Sequence, residues 1–151
     1  MIAWKYLNKT AATVEAMRDY ATMEFIIRIY EPGKAELRDK MTSVRASAPT
    51  GMPRGHNPKA GETWLVAQIS NLDVLEERYH SALEYMSWYK PAWDALSEDE
   101  RYILTEFFLR DGVSKTDAIN SIGEKFFIER AQAYRRKDKA IDHLTLLLYG
   151  K

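Results

Sequence analysis

The densest group of side chains able to do chemistry lies near the C-terminus. Glu129-Arg130-Ala131-Gln132-Ala133-Tyr134-Arg135-Arg136-Lys137-Asp138-Lys139 carries five basic and two acidic residues. Read as a helix at about 100° per residue, it predicts a buried stripe of Ala131, Tyr134, Ile141, Leu144 and Leu148. The opposite face then presents Glu129, Gln132, Ala133 and Arg136. Arg and Gln can bond base edges bidentately, and a small residue such as Ala133 lets a helix approach closely. Arg130 and Lys137 on one shoulder, and Arg135 and Lys139 on the other, suit phosphates. Ser114, Lys115 and Thr116, at the start of the preceding helix, join that phosphate set. A solvated basic face is the bland alternative. The position of the run, on the third of three short-linked helices after a tight turn, favours DNA contact.

Other chemistries find no support. The chain has no Cys, which excludes disulfides, cysteine nucleophiles and zinc ribbons. His56, His80 and His143 share no metal-ligand spacing, so no metal site is expected. No phosphate-cradling glycine loop, serine nucleophile elbow or H-E-x-x-H pair occurs. The expectation is a non-enzyme without a cofactor. Apolar runs such as Phe25-Ile26-Ile27 are far shorter than the ~18 residues of a membrane span. The Met1–Lys5 start shows no apolar stretch behind a basic one, so secretion is not signalled.

The elements that must position the basic helix are themselves helical. Ser97-Glu98-Asp99-Glu100 has the S-x-x-E form of a capping box, with three acids at the positive end of a helix. Ile103, Leu104, Phe107 and Phe108 form its stripe, and Asp111-Gly112 supplies its stop. A second helix starts at Ser114 or Thr116, with Ile119, Ile122 and Phe126 inward. Gly123 inside it costs about 1 kcal/mol relative to Ala, which points to a close helix contact. Further upstream, Leu65, Leu72, Tyr79, Met86 and Trp93 recur every seven residues, with Ile69 and Leu83 in the second seam. That spacing predicts one long coiled-coil-like helix over 62–90, packed along the N-terminal helices and ended or kinked by Pro91. Before it, 46–61 is a Gly/Pro-rich linker with three of the seven Gly and three of the five Pro. At the N-terminus, Asn8 or Thr10 can cap a helix carrying Val14, Met17, Ala21 and Phe25. Glu31-Pro32-Gly33 predicts a break, with Leu37, Met41 and Val44 on a shorter helix beyond it. Phe25–Tyr30 also suits a strand, but no second strand is available to pair with it.

The fold class expected is therefore all-α: an N-terminal helical arm (1–45), a linker (46–61), a long helix and connection (62–95), and a three-helix helix-turn-helix unit (96–151). The net charge is zero, but residues 62–111 hold eleven acids against four bases, and 112–151 eight bases against five acids. Such asymmetry suggests different partners for different parts.

Leu96–Phe108, Ile128–Ala140 and Leu146–Gly150, together with Met41–Ala48 and the long helix, resemble phage and prophage regulators. These are similar to sigma factor region 4 and to late-gene activators of the ArpU and RinA type. The resemblance implies a DNA-binding transcription regulator in the cytoplasm of a bacterial host, with double-stranded DNA as partner and RNA polymerase as a candidate second one. Standard sigma-type units have a shorter second helix than 116–126, and a larger residue where Gly123 stands. A homodimer through the helical arm is a candidate assembly, and no membrane is involved. Two competing readings are a DNA-packaging recognition subunit, similar to a small terminase, and a helical protein-interaction adaptor.

Overall fold

The computed structural model describes residues 7–46 and 60–150. All of their regular structure is helical: α1 (Lys9–Ala46), α2 (Ala60–Asp94), α3 (Glu98–Leu104, continued by one π-helical turn, Thr105–Leu109), α4 (Lys115–Phe126) and α5 (Arg130–Tyr149). The all-α expectation holds, and no strand occurs among the described residues. The linker 46–61 falls almost wholly outside them.

Asn8 starts α1, its Oδ1 accepting the Ala11 N–H at 3.0 Å. The break expected at Glu31-Pro32-Gly33 does not occur, because α1 runs through Pro32. Proline removes one helical hydrogen bond, but Pro32 is exposed, so the unpaired carbonyl one turn earlier can meet water. Packing holds the helix on both sides of that gap. Tyr30 is buried and stacks on Tyr79 with ring centroids 3.8 Å apart. Any Cβ on Gly33 would touch Leu75 at 3.4 Å. Pro91 likewise fails to end α2, which continues to Asp94.

The chain forms two compact units, Met23–Glu84 and the pair of segments Met1–Thr22 and Tyr85–Lys151. In the first, Tyr30 and Ala82 are the buried hydrophobic residues among those described. Leu65, Leu72 and Tyr79 are half-buried, as a seam requires. Ile69 and Leu83 are exposed, contrary to the inward position expected of them. Ile69 nonetheless lies beside Arg38, Met41 and Thr42 of α1.

The second unit has the larger core: Met17, Tyr89, Leu104, Ile119, Ile122 and Leu144 are all fully buried. It therefore extends beyond 96–151, taking in the first turns of α1 and the last of α2. The Thr145 hydroxyl donates to Thr13 Oγ1 at 3.0 Å, the Tyr85 hydroxyl to the Ala16 carbonyl, and Trp88 Nε1 to the Leu148 carbonyl at 3.2 Å. These bonds satisfy polar groups at the seams between helices, where leaving them unpaired would cost stability.

Candidate nucleic-acid interface

The site is assembled by three caps in succession. At α3 the capping box forms as expected: Glu100 N–H donates to Ser97 Oγ at 3.2 Å, and Ser97 N–H to Glu100 Oε2 at 2.9 Å. The other oxygen of that carboxylate lies 2.9 Å from His143 Nδ1 on α5, which ties the first helix to the third. Burial alone would raise the Glu100 carboxyl; the hydrogen bonds from Ser97 and His143 outweigh it and hold the group below its ordinary range. At α4, Ser114 is the cap. It accepts the Asp117 N–H at 3.1 Å and donates its hydroxyl to Asp117 Oδ2 at 2.8 Å.

The third junction is the turn from α4 to α5. Phe127 adopts a left-handed conformation, φ 54° and ψ 47°. This lets the Ile128 N–H reach back to the Gly123 carbonyl at 3.0 Å, the wrap that closes a Schellman turn. Ile128 folds over the core as it does so. A Cβ on Gly123 would meet the Ile128 carbonyl oxygen at 3.0 Å, closer than such atoms ordinarily come. The close approach anticipated at Gly123 is thus to the backbone of the turn. Glu129 then caps α5 with its backbone only, and its side chain makes no capping bond.

The face of α5 differs from expectation. Its buried residues are Ala133, Ala140, Ile141, Leu144 and Leu148. Ala133 has no exposure at all and cannot read a base. Ala131 is exposed, and Tyr134, expected in the core, keeps 37% of its surface. The helix is rotated because Ala133 and Ala140, seven residues apart, are the small residues at the crossings with α3 and α4. Opposite them on the helix wheel lie Ala131, Arg135, Asp138 and Asp142, with Lys139 and Gln132 towards one edge; all are exposed. Gln132 therefore stays available. Arg136 is exposed on a shoulder with its guanidinium 5.1 Å from the Phe126 ring centroid. Arg130 is exposed at the first turn.

Lys137 does not belong to the free phosphate set. Its side chain is mostly buried, with Nζ 2.6 Å from Asp138 Oδ1 and 4.7 Å from the Phe107 ring centroid. Ser114 spends its hydroxyl on the cap, while Lys115 and Thr116 are exposed beside it at the start of α4. Among the described residues no ion pair engages Arg130, Arg135, Arg136 or Lys139. Glu129 is exposed next to Arg130. The arrangement offers four cations outside any ion pair on about two and a half turns of helix, suited to a polyanion. It brings together no group of acids and histidines able to hold a metal among the described residues.

Phe127 was not singled out from the sequence. A Phe between two other apolar residues, Phe126 and Ile128, reads as core; the left-handed turn turns it outward instead. No family model matches the chain, and comparison with curated proteins and with solved structures also finds no match.

Proposed function

We propose that this chain is a sequence-specific DNA-binding transcription regulator of phage or prophage type, with α4 and α5 as a helix-turn-helix. One observation carries the reading. The α4–α5 turn is closed by backbone bonds at Gly123, Phe127 and Ile128, and burial of Ala133 and Ala140 then leaves Arg135 and Lys139 exposed on the far side of α5, with Arg130 and Arg136 exposed on its two shoulders. In such units the second helix enters the major groove with its N-terminal residues at the base edges. On this reading Gln132 and Arg135 face bases, while Arg130, Lys139, Arg136, Lys115 and Thr116 take phosphates. The resemblance of the Glu129–Ala140 string to phage regulators supports the same class. Phe25, Val66, Ile69, Val74 and Leu83, left exposed in the Met23–Glu84 unit, support self-association through the helical arm.

The test is a salt titration on a duplex selected from random DNA and on a scrambled duplex. Arg135→Ala should cost about 1–3 kcal/mol on the selected duplex and narrow the ratio between the two. Lys139→Ala should weaken both alike and reduce the salt slope by about one unit. Binding that neither substitution alters removes α5 from the interface. Ring-shaped oligomers at micromolar concentration would favour the packaging alternative.

A further inference from the structure

Phe127 breaks two rules at once. Among the described residues it is the non-glycine residue with positive φ, and L-residues with a Cβ pay for that conformation. It is also 95% exposed, the most exposed of the large hydrophobic side chains. The turn itself asks for neither cost. Glycine holds a left-handed cap without the Cβ penalty, and Asn is also found there. The hydrogen bond that closes the turn uses only backbone atoms, and no ring of the core contacts Phe127. The other aromatic residues nearby, Tyr102, Phe107 and Phe126, are half-buried and covered by the cations Lys125, Lys137 and Arg136. A strained conformation that serves no internal packing is a mark of a residue kept for contact with something else.

Its place says what that is, provided α5 is a recognition helix as read above. Phe127 stands two residues before the cap of α5, Glu129, at the end of the helix that meets base edges. The neighbouring surface there carries Arg130. The major groove presents donors, acceptors and one apolar group, the C5-methyl of thymine. We propose that Phe127 is a specificity residue whose ring packs on a thymine methyl beside the bases met by the first turn of α5. The ring carries no donor or acceptor and so adds discrimination for thymine without adding a phosphate contact.

The experiment uses the full chain and the duplex it selects from random DNA. Each thymine in that duplex is replaced in turn by deoxyuridine, which removes only the methyl. The parent protein should lose about fourfold in affinity at one or two positions, the factor for one buried methyl. Phe127→Gly should bind the unmodified duplex about tenfold more weakly and should show no penalty at those same positions. Its melting temperature should be equal to or above that of the parent, since glycine relieves the turn. Phe127→Leu, which keeps an apolar side chain, should retain part of the deoxyuridine penalty. The inference is overturned if Phe127→Gly binds as the parent does, or if deoxyuridine penalties persist unchanged in it. A parent that shows no deoxyuridine penalty overturns it too. A parent that binds no duplex at low salt removes the DNA reading itself, and the thymine contact with it.

Discussion

The rotation of α5 can be tested by enlarging one alanine at a time. Ala133 is fully enclosed, while Ala131, two positions earlier, is exposed. Leucine adds the same three carbons at either site. At Ala133 they must displace neighbours in a core lined by Ile119, Ile122 and Leu144. Overfilling a packed site costs about 1–3 kcal/mol. For a chain of this size each kcal/mol is worth about 2–4 °C, so Ala133→Leu should melt about 2–12 °C below the parent. Ala131→Leu should stay within about 0.5 kcal/mol, or about 2 °C. Thermal denaturation followed by circular dichroism at 222 nm reads both. The phase drawn from Ala131 and Tyr134 reverses the order. If Ala131→Leu is the more destabilising, or the two are equal, the assignment of the buried face is wrong, and with it the exposed set of Arg130, Gln132, Arg135 and Lys139.

Pro32→Ala should raise the melting temperature, since it restores an N–H inside α1 and removes a residue worth up to about 3 kcal/mol less than Ala in a helix; an unchanged or lower value would mean that the interruption is structurally required. Glu100 has its folded carboxyl held below the ordinary value, so its contribution is present above the unfolded pKa and is lost as pH falls through the folded one. The stability difference between the parent and Glu100→Gln should therefore be full near pH 6 and shrink below about pH 4; a difference independent of pH across that range would contradict the linkage. Sedimentation velocity should show concentration-dependent self-association that Ile69→Lys combined with Leu83→Lys abolishes, and a parent that is monomeric at every concentration would refute the assembly.

Signals that act over three or four residues were legible. Ser97 and Glu100 are a reciprocal pair whose only good partner is each other's backbone, and both bonds form. Asn8 and Ser114 work the same way at the starts of α1 and α4. What could not be read were outcomes decided by distant partners. Pro32 is a local breaker, but Tyr79 and Leu75, more than forty positions away, hold the helix across it. The phase of α5 was ambiguous because alanine fits a surface as well as a crossing. Only the presence of α3 and α4 on the Ala133–Ala140 side decides it. The same ambiguity hid Lys137, which a charge count assigns to solvent and Phe107 draws onto the protein surface.

The bond between Thr13 and Thr145 spans 132 positions. On a ribosome the first turns of α1 are made early, and most of their partners last. Residues 98–150 can pair locally, through neighbouring helices joined by short turns. The start of α1 must instead close a loop that contains the whole of Met23–Glu84, and loop closure grows slowly but steadily more costly with length. Folding of this unit is therefore expected to have a fast phase in the C-terminal helices and a slower docking of the N-terminal turns. Until that docking, Met17 lacks its core and Leu144 part of its cover. A nascent or truncated chain lacking the last helix would present the α1 side of this surface to whatever chaperone or protease is nearby.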